Sequence, residues 1–316
     1  MTSISRREFT KKSGIALSMI PFAALPINLL EFEAPLDKLN INIFSKHLQF
    51  LDFKELGERT LEMGFTGVDL TVRPKGHVQP EEVFDILPKA VEAIKQSGAQ
   101  CIMMSTAVNN ANNQTDINVL KTAAECDIKY YRTNWFKYSK DKSMEASLKD
   151  YKTIVKDLSV YNAKHGLVGC YQNHAGTSVG ASLWEIKQIL EFVNLDTFGV
   201  QYDIRHALVE GGLSWTNSLK LVKDNIKTIV LKDFKWGQIN GIWKPINVPI
   251  GKGMVDFDRY FKLLKKYKIN VPVSLHCEYD LGGAEHGSKT PSISKKEIYN
   301  AISKDLKTVQ QLWQQA

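Results

Sequence analysis

The sequence predicts a single (β/α)8 barrel, and three observations carry that expectation. Short β-rich runs and amphipathic helical stretches alternate strictly from about residue 39 to the C-terminus. Eight such units can be counted. The length, 316 residues, suits a barrel of about 250 residues with a leader and a few long loops. Strict alternation means a parallel sheet with crossover helices. The competing arrangement, an open doubly wound sheet, usually carries a glycine-rich phosphate turn after its first strand. Here that strand runs into Phe44-Ser45-Lys46-His47, with no glycine.

The elements follow in order. A first strand is expected over 39–45, after which Asp52 caps a helix over 53–63. Gly64-Phe65-Thr66-Gly67 turns into a second strand over 68–72, and Pro80 opens a long helix to about Ser97. Strand three covers 99–105 and is followed by a helix over 116–126; strand four covers 129–133 and is followed by a long helix over 144–165. Strand five is 167–172, and Ser182 caps the next helix. Strand six is 197–203, with a helix near 214–224; strand seven is 226–232, with a helix over 256–267. Strand eight is 271–278, and a helix over 294–313 closes the chain.

Residues 1–34 read as a leader and 35–316 as the barrel domain. Ser5-Arg6-Arg7-Glu8-Phe9-Thr10-Lys11-Lys12, followed by an apolar stretch broken by Pro21 and Pro26, resembles a twin-arginine export signal. The stretch is too broken for a comfortable membrane span. The expectation is a periplasmic protein that meets the membrane only during export. Part of the net charge of +7 sits in this leader, and the remaining lysines lie along predicted helices as solvated faces. No dense basic block with interleaved aromatics occurs, which argues against a nucleic-acid partner. Cys101, Cys126, Cys170 and Cys277 have no close C-x-x-C partner, and three of them fall in predicted strands as buried thiols.

Barrels of this kind collect their chemistry at the C-terminal strand ends. The polar residues there are Lys46 and His47; Asp69, Arg73 and His77; Arg132 and Asn134; Gln172, Asn173 and His174; Asp203, Arg205 and His206; Lys232 and Asp233, with Trp236 beyond; and His276, Glu278 and Asp280. Side chains at i and i+2 share a strand face. Gln172, Asp203, Lys232, His276 and Glu278 are therefore expected to converge at the mouth. Oxygen and imidazole donors suit a divalent ion such as Mn²⁺, Mg²⁺ or Zn²⁺. Each residue also has a plainer reading: His47 and His77 as loop surface, Asp69 as part of a network in the barrel floor, Trp236 as core rather than a sugar-stacking platform.

Gly64-Phe65-Thr66-Gly67-Val68-Asp69-Leu70, Tyr171-Gln172-Asn173-His174, Asp203-Ile204-Arg205-His206-Ala207, Val230-Leu231-Lys232-Asp233 and Pro249-Ile250-Gly251-Lys252-Gly253-Met254 together resemble the sugar phosphate isomerase/epimerase group. These are xylose isomerase-like TIM barrels related to AP endonuclease family 2. The resemblance implies a divalent ion held by Glu, Asp, His and Glu from strands five to eight. The Asp falls at Asp203 and the last Glu at Glu278, but the first Glu position reads Gln172 and the His position reads Val230. Gln cannot serve as a proton-transfer base, so only one of the two glutamates of a family epimerase remains. Two outcomes follow. His276 replaces the lost histidine, giving Gln172, Asp203, His276 and Glu278 as ligands, or Lys232 replaces the ion and pairs with Asp203 and Glu278.

The first of these is the favoured expectation. The reaction it supports is proton abstraction next to a carbonyl of an unphosphorylated sugar, in an isomerase, an epimerase, or a lyase or dehydratase acting on a keto-glycoside. Glu278 or His206 is the expected base, and Lys232 or the ion stabilises the enolate. Substrate contacts are expected from His47, Arg73, His77, Asn173, His174, Arg205 and Trp236. The competing class is a non-catalytic sugar-binding barrel that has lost its metal. A DNA-repair role is excluded by the shortage of zinc ligands. The partner expected is a small carbohydrate, and homo-oligomerisation is left open.

Overall fold

The parallel barrel anticipated from the alternation is present and closed. In the computed structural model, which describes residues 38–316, the barrel strands are β1 (Ile41–Phe44), β2 (Gly67–Val72), β3 (Gln100–Thr106), β4 (Tyr130–Arg132), β5 (Val168–Gln172), β6 (Phe198–Asp203) and β7 (Ile226–Leu231). After a hairpin of β8 (Asp233–Ile239) and β9 (Ile242–Val248), the eighth barrel strand is β10 (Val273–Leu275). Every barrel pair is parallel, and β10 returns between β7 and β1 to close the ring. The leader expected over 1–34 lies outside the described residues.

The helices are α1 (Phe53–Glu62), α2 (Val83–Gln96), α3 (Gln114–Glu125), α4 (Met144–His165), α5 (Leu183–Ile189), α6 (Ile204–Gly211), α7 (Trp215–Val222), α8 (Phe257–Lys266) and α9 (Lys295–Gln315). Their starts are chemically marked. The carboxylate of Asp52 accepts from the Glu55 amide, the hydroxyl of Ser143 from the Ala146 amide, and Ser294 and Glu297 form a reciprocal capping box. The α4 helix matches its sequence expectation end to end and stops at Gly166, whose φ of 69° a side chain would resist. The core lies between helices and sheet, through residues such as Leu56, Ile94, Leu158, Ile186, Leu219, Phe261 and Ile302. Cys101, Cys170 and Cys277 are buried free thiols, as the sequence suggested.

Three departures from the sequence expectation matter for function. After β6 the chain enters α6 at once, so Asp203 is both the last residue of a strand and the N-cap of a helix. After β7 comes an antiparallel hairpin rather than a plain loop. Its tip, Asn240-Gly241 with φ values of 52° and 77°, is the left-handed pair a two-residue turn requires. The last barrel strand is shorter than expected, so His276 and Glu278 stand just past the ladder, where a side chain can lean across the mouth.

Candidate active site at the barrel mouth

Four elements bring the central cluster together. Gln172 ends β5, Asp203 ends β6, Lys232 follows β7 and Glu278 follows β10. The Lys232 ammonium sits 3.1 Å from Asp203 Oδ2 and 3.1 Å from Glu278 Oε2, with its side chain only 4% exposed. Gln172 Nε2 donates to the same Asp203 Oδ2 at 2.9 Å, and Lys46 Nζ donates to Glu278 Oε1 at 2.9 Å. Asp203 Oδ1 accepts from the His206 amide as the cap of α6. All the partners of the two carboxylates are donors, which is the pattern of ionised acids. Burial would raise the pKa of Glu278, but Lys232, His276 and Lys46 together outweigh it and hold Glu278 well below the usual range. Burial pushes Asp203 upward, with the Lys232 ammonium and the His206 amide pulling back.

The metal set Gln172, Asp203, His276 and Glu278 does not fit an ion. The ammonium of Lys232 lies between the two carboxylates that would hold it. Gln172 turns its amide donor, not its oxygen, toward Asp203. His276 lies flat on Phe44, ring centroids 4.1 Å apart, and approaches Glu278 only to 3.6 Å. Among the described residues no group of three His, Cys, Asp or Glu side chains is placed to bind a metal. The arrangement present is the second of the two outcomes, a lysine at the position where the family resemblance puts the ion.

The histidines are neutral walls. Burial, reinforced by Lys232, lowers His174 to about 4; burial, against the opposing pull of the nearby Glu278 carboxylate, takes His276 to about 3. His206 falls well below its usual value through burial and then Lys232. Their tautomers follow from their partners. The His174 Nδ1–H donates to the Ala175 carbonyl at 3.0 Å, so its Nε2 keeps a lone pair. Arg205 Nη1 donates to His206 Nδ1 at 3.0 Å, so the proton of His206 sits on Nε2, 3.6 Å from Asp203 Oδ2. A histidine in that state is no base. Of the two base candidates, Glu278 is the one whose position allows it.

Several expected substrate contacts turn out to be supports. Asn173 is fully buried, its amide nitrogen on the Asp203 carbonyl at 2.9 Å and its oxygen on the Asp203 N–H at 2.8 Å; it fixes Asp203 rather than facing the mouth. His47 is buried and accepts from the Cys277 amide through Nε2 at 3.0 Å, which places the segment leading to Glu278. His77 pairs with Thr71 Oγ1 at 3.1 Å and lies apart from the carboxylates. Arg205 holds Asn247 of β9, and Asn247 in turn donates to the Glu278 carbonyl, so the hairpin is tied to the site. Trp236 is 42% exposed on β8, one aromatic ring away from Arg205 through Phe234. Asp69 lies in the barrel interior, accepting from Ser105 and Ser274, with burial raising it to about 6.

Lys46 and Arg132 stood among the strand-end residues but not in the expected substrate or catalytic set, although their strand-end positions signalled them. Asn247 was missed because the hairpin that carries it was not anticipated, although the Asn240-Gly241 pair at its tip is a turn signal. The glycine-rich turn after β9 also finds its reason here. The amides of Gly251, Gly253 and Val255 converge with that of Phe234 on the Asp233 carboxylate, next door to Lys232.

Comparison with known proteins agrees with this architecture. A family model described as a xylose isomerase-like TIM barrel matches residues 58–295, more than half of the chain. No curated protein sequence matches. Among solved structures, the IolI protein with a binding zinc atom aligns with a TM-score of 0.67 at 16% identity, covering 87% of this chain and 99% of that one. The 3-keto-D-glucoside 4-epimerase YcjR from E. coli aligns at 0.62 and 14%, covering 85% and 100%. The probable 3-DHS dehydratase AsbF from Bacillus anthracis aligns at 0.60 and 14%, covering 85% and 99%. At these identities the likeness establishes the fold.

Proposed function

The chain belongs to the xylose isomerase-like TIM barrel family, and from that premise we propose an enzyme that removes a proton next to a carbonyl of an unphosphorylated sugar. The observation that carries the reading is the Lys232 ammonium held between Asp203 and Glu278. An ammonium has three donors. Two are engaged by the carboxylates, and the third is available to a substrate carbonyl oxygen. As negative charge develops on that oxygen, Lys232 is drawn to it and its hold on Glu278 weakens, which raises the basicity of Glu278 when a base is needed. A low-dielectric wall of neutral histidines strengthens both effects. The lone pair of His174 Nε2 accepts a substrate hydroxyl.

With one glutamate, the site suits enolisation followed by loss of a leaving group, or a simple tautomerisation, better than a two-base epimerisation. An epimerase of a 3-keto-glucoside and a dehydratase stand among its structural neighbours, and both fit a first step of proton loss from carbon. The twin-arginine-like sequence at residues 5–12 supports an exported enzyme, and outside the cytoplasm keto-glycosides rather than sugar phosphates would be met. The test is to incubate the protein with keto-glycosides in D₂O and follow the α-proton by NMR. Exchange that disappears in Glu278→Gln supports the proposal. Sugar binding without exchange returns the protein to the non-catalytic class.

A further inference from the structure

The cations at the mouth outnumber the acids that face them. Lys46 and Lys232 are ion-paired with Glu278 and Asp203, but Arg73, Arg132 and Arg205 form no ion pair among the described residues. Arg205 is occupied by Asn247, His206 and the Phe234 ring. Arg73 and Arg132 are different. They stand at the ends of β2 and β4, on either side of β3, with their guanidinium carbons 5.5 Å over the Phe44 ring and 4.3 Å over the Trp135 ring. Both rings belong to the site: Phe44 stacks on His276, and Trp135 donates to the Gln172 carbonyl.

Arg132 is only 3% exposed, and its partners are two backbone carbonyls, those of Thr133 and Thr106. A buried guanidinium satisfied only by neutral oxygens is costly unless an anion completes it. Burial, with Arg73 adding to it, depresses Arg132 to about 9. Two acids act on both arginines: Glu278, whose charge is already taken by Lys46 and Lys232, and Asp69, which is engaged by Ser105 and Ser274 and makes no direct ion pair with either. Even when Asp69 is ionised, this side of the mouth keeps one positive charge. A planar, singly charged carboxylate matches it, because a guanidinium presents its remaining N–H groups as a flat fork. A phosphate would also meet an arginine fork but brings about two negative charges to a side that keeps one positive charge, and the helix N-terminus that could share the excess, at α6, is already filled by the Asp203 carboxylate.

We infer that the sugar bound here carries a carboxylate, a uronic- or aldonic-acid type of ligand, gripped by Arg73 and Arg132 while its reacting carbon faces Lys232 and Glu278. The inference rests on the proposed function for the second half of that statement, and on the unpaired arginines for the first. Calorimetry with the full chain at fixed ionic strength tests it on matched probes: D-glucose against D-glucuronate, D-galactose against D-galacturonate, and D-glucose 6-phosphate. The expected result is at least a tenfold preference for the acid in one pair. That ratio collapses toward one in Arg73→Gln, and Arg132→Lys, which keeps the charge but loses the fork, lowers it severalfold. No preference in either pair, or tighter binding of the phosphate than of the uronates, overturns the inference. Isotope exchange without carboxylate preference sinks this inference alone, whereas carboxylate preference without exchange sinks only the proposed reaction.

Discussion

Replacing Lys232 by methionine removes the ammonium while keeping its stem volume. At 3.1 Å from each carboxylate oxygen, each pair has about 5 kcal/mol of Coulomb attraction at an effective dielectric constant near 20. Desolvation of the buried ammonium offsets much of that sum. Removing one partner of a buried pair nevertheless costs about 3–5 kcal/mol, because the acids are left uncompensated. For a chain of this size that is a fall of about 5–8 °C in melting temperature. The variant should also acquire what the wild type lacks room for. Asp203 and Glu278, freed of the lysine, form the beginnings of a divalent site, and Zn²⁺ or Mn²⁺ at about 100 times its Kd restores about 2.7 kcal/mol. Differential scanning fluorimetry with excess EDTA, Zn²⁺ or Mn²⁺ reads all of this. Wild-type melting is expected to ignore both chelator and ion, whereas Lys232→Met melts low and rises with metal. A wild type that EDTA destabilises, or a variant that melts within about 2 °C of it, would refute the assignment of Lys232 as the resident cation.

Other consequences are equally direct. Asp69 is raised from 3.8 to about 6 by burial, so the folded protein binds the extra proton and its stability falls as pH rises through that window. Asp69→Asn should match wild type below pH ~4 and gain up to about 3 kcal/mol on it above pH ~6 in urea melts, and a pH-independent offset would contradict the buried charge. A Cβ at Gly253 would meet Asp233 Oδ1 at 2.2 Å and the Phe234 carbonyl at 2.3 Å. Gly253→Ala should therefore lose about 1–3 kcal/mol by breaking the amide nest around Asp233, and a melt unchanged from wild type would show that the turn can shift freely. With His174 lowered to about 4 and His276 to about 3, both stay neutral through the ordinary histidine range. NMR titration of their ring protons should show no step between pH 5.5 and 8, and a midpoint near 6.5 would mean the mouth is wetter than its burial implies.

The barrel was readable because its signals are local and repeated. Asp52 and Ser182 are legible as helix caps, and in the structure Asp52, Ser143, Ser182 and Ser294 each stand at a helix start with a side chain that accepts an amide of the first turn. The hairpin shows the cost of counting units instead of turns. Asn240-Gly241 between Ile239 and Ile242 is a strong two-residue turn signal, hidden only by the assumption that a helix must follow each strand. Within the site, convergence of Gln172, Asp203, Lys232 and Glu278 followed from strand-end position and parity. What sequence spacing does not encode is which way a side chain spends its donors. Asn173 and His47 sit where substrate contacts are expected, yet their polar atoms are used up on the backbone of Asp203 and Cys277. Parity puts His276 beside Glu278, but only the stack on Phe44 reveals that it is held away from a ligand position.

The three departures from the family pattern make sense as one change rather than three. A divalent ion with two glutamates, one aspartate and a histidine leaves a centre of net charge −1. Here Gln172 removes one negative charge, and Lys232 supplies one positive charge in place of two, so the groups at the ligand and ion positions, Asp203, Glu278 and Lys232, again sum to −1, with Lys46 pairing with Glu278 from outside that set. The balance explains the histidine as well. A metal needs its fourth ligand to fill a coordination shell, whereas an ammonium has three protons to place, and two of them are already on Asp203 and Glu278. An imidazole at position 230 would bring no acceptor the ammonium requires, and Val230 instead packs fully buried beside Ser274 in the barrel sheet. Reverting one position alone should then be worse than reverting none. Gln172→Glu places a third acid against Asp203 Oδ2, whose ammonium partner Lys232 is already shared with Glu278, and its carboxyl must take up a proton or the site must open. The single variant should melt below wild type at pH 8 and recover as pH falls and that carboxyl protonates. If it proves as stable as wild type at pH 8, the three positions are independent substitutions and the charge-balance argument fails.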